Sequence, residues 1–281
     1  MAQHLARAGF VLHVFNRSPG KIHDLIEQFP SLITPMHGVE GISETLANPN
    51  ISIIISMLFD YDSIMNAIIA NAKSLKGKTF IQMSTISVEQ SVHLDELTTN
   101  LGGEFVESPV LGNTSVAQAG KLQILLGCSK EQFDKLTNLN IFPSFGSIVR
   151  HVGEKPKAIK LKLCLNFLVG SLTALTASSL ALVESNDLDV DMFQDIVQKS
   201  ALHFKYFDDK SAVMRKREYT DMSFSVDGIL KDMDCIEKMA EKSHVNTALI
   251  STVKSLFKEA SESENIEGRD MSSVYEVMKK Q

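Results

Sequence analysis

The sequence predicts an α/β domain built on a parallel sheet over residues 1–154, followed by an all-helical domain over residues 155–281. Three observations predict it. Short apolar runs alternate with helix-period segments through the first half, which is the pattern of βαβ units. From Pro156 to Gln281 no segment has strand character. Gly153 and Pro156 interrupt regular structure between the halves. A length of 281 residues suits two domains, because single cores stop growing near about 250–300 residues.

The elements follow in order. Met1, Leu5 and Ala8 share one face of a helix that Gly9 ends. Phe10–Phe15 (FVLHVF) reads as a strand and Lys21–Glu27 as a helix. Ile51–Met57 (ISIIISM) is a nearly continuous apolar run, as in a parallel strand buried on both faces. Tyr61–Ala72 is helical, and Thr79–Met83 is a strand entered through the turn Lys76-Gly77-Lys78. Val88–Leu101 is helical, and Glu104–Glu107 and Gln123–Leu126 are shorter strands. Ala158–Ser185 is one long helix linking the domains, followed by amphipathic helices at Val190–Lys199, Ser225–Ser243 and Thr247–Ser261.

Within the long helix, Leu163–Val183 carries no charge over 21 residues, enough to cross a bilayer. A helix apolar all round is either a membrane span or buried between domains or subunits. Asn166, Ser171, Thr173, Thr176, Ser178 and Ser179 favour burial, so no membrane partner is expected.

Composition narrows the function classes. Net charge is −6 with Lys and Arg spread along the chain, which does not suit a nucleic-acid surface. Three distant cysteines without a CxxC pair indicate neither a zinc module nor a disulfide framework, and fit a reducing, cytoplasmic setting. The eight histidines are scattered, and no metal is expected.

Several segments carry chemistry. Asn16-Arg17-Ser18 ends the Phe10–Phe15 strand; a NAD-binding domain has an Asp or Glu for the adenosine ribose at the end of its second strand. An arginine there can hold a 2′-phosphate; equally, it is a polar strand end. Met57-Leu58-Phe59 and Ser84-Thr85-Ile86 end two predicted buried strands, and ligands bind at the carboxyl ends of parallel strands. In Ser108–Asn113 (SPVLGN), amides freed by glycine can grip a carboxylate, or form an ordinary turn. Lys162 and Asn166 are one helical turn apart on one face. A lysine ammonium can protonate a carbonyl oxygen as hydride arrives at carbon, and an amide can orient the substrate. On residues alone, Lys162 is also one of four clustered lysines, with Lys155, Lys157 and Lys160.

These segments, with MAQHLARAGFVLHVFNRSPGK, HVGEKPKAIKLKLCLN, FSVDGILKD, Glu184 and Gly268–Ser272, resemble the β-hydroxyacid dehydrogenase family. That family includes 3-hydroxyisobutyrate dehydrogenases and glyoxylate or succinic semialdehyde reductases. The resemblance runs from Met1 to about Met278. It implies a Rossmann-type sheet entered inside the first helix. The first strand and GxGxxG loop would then lie roughly 15–20 residues upstream of Met1, and no GxGxxG occurs in the chain. Residues 1–281 alone are accordingly expected to bind NADPH weakly.

The resemblance also implies roles. Lys162 and Asn166 would be catalytic. Asn16, Arg17, Ser18, Leu58, Phe59, Thr85, Lys231 and Asp232 would bind the cofactor, NADP ahead of NAD. Ser84, Leu111, Gly112 and Asn113 would bind a small carboxylate or aldehyde substrate. The chain departs from the pattern at Phe59 (usually proline), Leu111-Gly112-Asn113 (Ser-Gly-Gly), Pro156 and Ala158 (glycines), and Leu165 (asparagine). The expected function is an NADP-preferring oxidoreductase of small β-hydroxy acids or their semialdehydes, assembled as a homodimer or homotetramer. The alternative is a non-catalytic, truncated relative that keeps the helical dimerisation domain.

Overall fold

The computed structural model describes residues 1–263 and 269–279. The chain divides into two compact units, Met1–Lys162 and Leu163–Gln281. This division lies inside the long helix, whereas the sequence places the domain boundary at 154/155, just before that helix begins.

The first unit runs α1 (Ala2–Arg7), β1 (Leu12–Val14), α2 (His23–Gln28), β2 (Ile33–Pro35), α3 (Gly38–Ala47), β3 (Ile53–Ser56), α4 (Tyr61–Ala67) and β4 (Thr79–Gln82). It continues with α5 (Val88–Asn100), β5 (Glu104–Glu107), β6 (Val110–Leu111), α6 (Thr114–Gln118), β7 (Leu122–Gly127), α7 (Lys130–Asn138) and β8 (Gly146–Gly153). Strands β3, β4 and β5 are parallel, with Ile53 opposite Thr79 and Thr79 opposite Glu104. The expected parallel sheet is present, and past β5 it takes in antiparallel pairings: β7 pairs antiparallel with β5 and β6, and parallel with β8.

Adjacent residues explain the apolar centres of β4 and β5, Phe80-Ile81 and Phe105-Val106. Phe80 and Phe105 pack edge to face in a core with Ile64, Leu75 and Leu94, while Ile81 and Val106 enter a second core with Ile124, Leu126, Phe142 and Phe145. Side chains alternate across a sheet, so a strand covered on both faces is apolar at adjacent positions. Ser87 with Gln90 and Ser129 with Gln132 form capping boxes that start α5 and α7.

Strands β1 and β2 form a separate parallel pair, with Leu12 opposite Ile33. Among the described residues β1 pairs only with β2, and β3 only with β4. Leu12 and Val14 of β1, with Ile53 and Ile55 of β3, line one apolar cavity of about 330 Å³.

The long helix α8 (Lys157–Ser185) leads into the second unit, followed by α9 (Val190–Gln198), α10 (Lys205–Lys216), α11 (Val226–Lys242), α12 (Ala248–Ser261) and a 3₁₀ turn at Met271–Val277. Gly170 of α8 lies against Met233 and Ile229 of α11, where a side chain would clash. The buried Asp270 carboxylate pins the last segment. It accepts bonds from Ser223 Oγ, Ser272 Oγ and three backbone amides, and pairs with the buried Lys210 ammonium at 3.2 Å.

Candidate active site

In the first unit the predicted cofactor loops occupy strand carboxyl ends. Asn16–Ser18 follows β1, where Ser18 N–H donates to Asn16 Oδ1 at 3.1 Å and leaves Arg17 exposed. Phe15, just before it, and Leu58, just after β3, line the same apolar cavity. The loops after β3 and β4 are tied together, because Leu58 N–H donates to the buried Ser84 Oγ at 2.8 Å. Thr85 beside it is half-buried, and Phe59 is exposed.

The predicted substrate segment is held locally. Leu111 belongs to β6, opposite Gln123 of β7. Gly112 has φ +140°, and a Cβ there would meet Val116 and Leu122 at under 3 Å, so the turn requires glycine. Asn113 caps α6, its Oδ1 accepting from Val116 N–H and Ser115 Oγ. Its side-chain oxygen is therefore committed to the fold, and the backbone amides are what this segment can offer an anion.

Helix α8 buries Ile159, Leu163, Leu180 and Val183, yet it also buries two polar side chains and exposes a row of leucines. Lys162 is 9% exposed and Asn166 3%, whereas Leu161, Leu168, Leu175 and Leu182 are 38%, 54%, 56% and 65% exposed. Burying an ammonium on a helix with leucines outside runs against solvation, so both faces need a reason. Of the other lysines in the cluster, Lys157 and Lys160 are exposed, and Lys155 is half-buried and paired with Asp95 at 2.6 Å.

In the second unit, Asn166 Nδ2 donates to buried Asp232 Oδ2 at 2.5 Å, and Lys231 Nζ donates to Asp232 Oδ1 at 2.7 Å. An ionised carboxylate only accepts, so Asp232 fixes which way the Asn166 amide faces. The sequence-derived trio Asn166, Lys231 and Asp232 thus forms one hydrogen-bonded group. Glu184 lies elsewhere, paired with Lys279 at 2.8 Å and with Arg217 at 3.6 Å. Hydrogen bonds from Lys279 and Tyr275 hold its carboxyl below the usual range. Gly268 lies outside the described residues.

Sequence reasoning missed Glu107. This buried carboxylate at the end of β5 accepts from Ser91 Oγ at 2.6 Å and from Ile159 N–H at 3.3 Å. Burial pushes its carboxyl above the ordinary value, although the Ser91, Ile159 and Ala158 bonds and nearby Lys155 oppose the rise. The available signal was an acidic residue closing a strand otherwise destined for the core.

Comparison with known proteins places both units. Residues 1–153 match the family model for the NAD-binding domain of 6-phosphogluconate dehydrogenase. Residues 157–278 match the one described as NAD-binding of NADP-dependent 3-hydroxyisobutyrate dehydrogenase. Glyoxylate/succinic semialdehyde reductase 1 of Arabidopsis thaliana is 28% identical, over 99% of this chain and 94% of that protein. The crystal structure of 3-hydroxyisobutyrate dehydrogenase from Salmonella typhimurium superposes with TM-score 0.84 at 20% identity, covering 98% of this chain and 94% of that one. The structure of Psf3 in complex with NADP⁺ and 2-OPP superposes with TM-score 0.79 at 18% identity, covering 99% of this chain and 95% of that one.

Proposed function

The chain belongs to the β-hydroxyacid dehydrogenase family, and from that premise we propose that it is a soluble, NADP-preferring oxidoreductase of small β-hydroxy acids or their semialdehydes. The observation that carries this reading is the burial of Lys162 and Asn166 one turn apart on α8, with the Asn166 amide fixed through Asp232.

The residues fit a nicotinamide dinucleotide at two places. Exposed Arg17, after β1, suits a 2′-phosphate through charge-assisted bonds, and no acidic residue stands at that strand end to repel it. The Leu58–Phe59 and Ser84–Thr85 loops, joined by the Leu58–Ser84 bond, suit the nicotinamide end. When bound, NADPH supplies the hydride. The amides around Gly112 hold the substrate carboxylate. Lys162 donates a proton to the carbonyl oxygen as the hydroxyl forms, and the neutral amine regains a proton from solvent; in oxidation it takes the hydroxyl proton. By resemblance to the family, Asn166, its Nδ2 committed to Asp232, is assigned to orienting the substrate, and Lys231 and Asp232 to binding the cofactor.

The exposed leucines of α8 recur every seven residues, the spacing of a helix that packs along another helix. The occupant is a second copy of this chain, because a twofold axis lets one stripe cover itself. A homodimer or a dimer of dimers in the cytoplasm is the assembly proposed.

The test is a substrate panel. Glyoxylate, succinic semialdehyde and an uncharged aldehyde of similar size are offered with NADPH and with NADH to the chain extended ahead of Met1 by an apolar strand and a glycine-rich loop, and the alcohol product is identified. Reduction of the carboxylated aldehydes with NADPH preferred supports the reading. No turnover of any aldehyde with either cofactor refutes it.

A further inference from the structure

Glu107 bridges two parts of the first unit that the proposed reaction must keep in register. Its Oε2 accepts from Ile159 N–H at 3.3 Å, next to Ala158 in the chain. These residues lie in the first turn of α8, where amides lack intrahelical partners. A carboxylate at a helix start gains from those donors and from the helix dipole. Here the carboxylate comes from a strand 52 positions earlier in the sequence. Its other oxygen is held by Ser91 of α5. Opposite it stands Gly127 of β7, where a Cβ would lie 2.6 Å from Oε2 and 2.8 Å from the Ala158 Cβ. Glycine at 127 thus makes the approach of carboxylate and helix sterically feasible. Lys162 follows Ile159 by three residues on this helix, and Ser108–Asn113 follows Glu107 directly in the chain.

We propose that Glu107 is a positioning residue: it clamps the first turn of α8 to the end of β5, and so sets where the Lys162 ammonium stands relative to the Gly112 turn. This rests on the reading of Lys162 as the proton donor. The carboxylate itself touches no reacting atom; it acts through the helix. Glutamine keeps one accepting oxygen for the helix amides, whereas leucine keeps none and leaves those amides unsatisfied.

The test uses the whole chain with Glu107→Leu, Glu107→Gln and Ser91→Ala. Acetylation of Lys162 by acetic anhydride, followed by peptide mass spectrometry, reports the accessibility of that amine whether or not the protein turns over. Lys78, buried with its Nζ bonded to the Asn48 and Ile51 carbonyls, is the internal control. Losing the clamp is expected to speed Lys162 acetylation by about tenfold in Glu107→Leu, the factor for one to two lost hydrogen bonds. Lys78 should stay unchanged, Glu107→Gln should stay near wild type, and Ser91→Ala should fall between. If Glu107→Leu does not fold, the ordering wild type, Gln, Ser91→Ala still decides. With active protein, kcat for aldehyde reduction should fall about tenfold or more in Glu107→Leu while the KM for NADPH holds, since small misplacements of a reacting group cost that much. Equal acetylation in all variants, parallel acceleration at Lys78, or a glutamine variant as loose as leucine would each overturn the clamp. A wild type that reduces no aldehyde refutes the proposed function instead, and the acetylation result still decides on Glu107.

Discussion

Replacing Leu168 and Leu175 together by glutamate should convert the protein to a monomer without unfolding it. Both side chains are more than half exposed in the single chain, at 54% and 56%, so little native packing is lost within a protomer. Fully burying a leucine stabilises by about 1.5–3 kcal/mol, and half of that surface is already covered, which leaves about 1 kcal/mol to gain at each position. A twofold axis doubles every contribution. The double substitution therefore removes about 4 kcal/mol of dimer burial, and it adds carboxylates to an apolar seam, each carrying a desolvation cost of its own. The expected weakening is at least about a thousandfold in Kd. Sedimentation equilibrium over a concentration series reads it directly, with circular dichroism melts confirming the fold. A double variant that stays dimeric at the wild-type concentration, or a wild-type chain that is monomeric throughout, would refute the assignment of this stripe to a second copy.

Three further outcomes are expected. Arg17→Ala should weaken NADPH binding by about tenfold or more, the loss of a charge-assisted contact, and leave NADH nearly unchanged; equal weakening of both in fluorescence titrations would remove Arg17 from the 2′-phosphate. Burial alone would raise the Asp270 carboxyl, but Lys210 and the Ser223 and Ser272 hydrogen bonds outweigh it and hold the carboxyl at about 2, against an ordinary 3.8. Because the folded value is the lower one, this contribution of about 2 kcal/mol is present above pH 4 and lost as pH falls toward 2, and urea melts should show that loss shrink in Asp270→Asn. Adding an apolar strand and a glycine-rich turn ahead of Met1 should fill the cavity between β1 and β3, protect both strands in hydrogen exchange and tighten NADPH binding, because helix-start amides hold phosphates; unchanged protection would show that the cavity accepts no strand.

The parts of the fold legible in the sequence were those whose burial is two-sided or whose ends are marked. Strands β3 and β4 announce themselves by adjacent apolar residues, β5 more weakly through Phe105-Val106 alone, and α8 and α11 as long helical segments. Strand β8 was missed because GSIVRHVG puts Ser147, Arg150 and His151 toward solvent, and one-sided burial at a sheet edge leaves a weak pattern. Helix α10 was missed because its buried face contains Lys210, whose acceptors Asp270 and Ser272 lie some sixty positions away. Strand β2 is three residues long and ends in proline. In the candidate site, the residues on α8 and α11 were readable from spacing together with the family motif. The Asp232 bridge, the capping duty of Asn113 and the clamp at Glu107 depend on partners that no local window contains.

The central claim is that the buried Lys162 is the proton donor of a hydride-transfer enzyme. The measurement that tests it most directly is kcat for NADPH-dependent reduction of succinic semialdehyde or glyoxylate in wild type and Lys162→Ala, each extended ahead of Met1 by an apolar strand and a glycine-rich loop, with NADPH at saturation and cofactor affinity measured separately. The account predicts a fall of about 10²–10⁴ in kcat with unchanged NADPH affinity and an intact fold, the usual loss for a positioned acid or base. A Lys162→Ala protein that reduces the same aldehyde at the wild-type rate would contradict it.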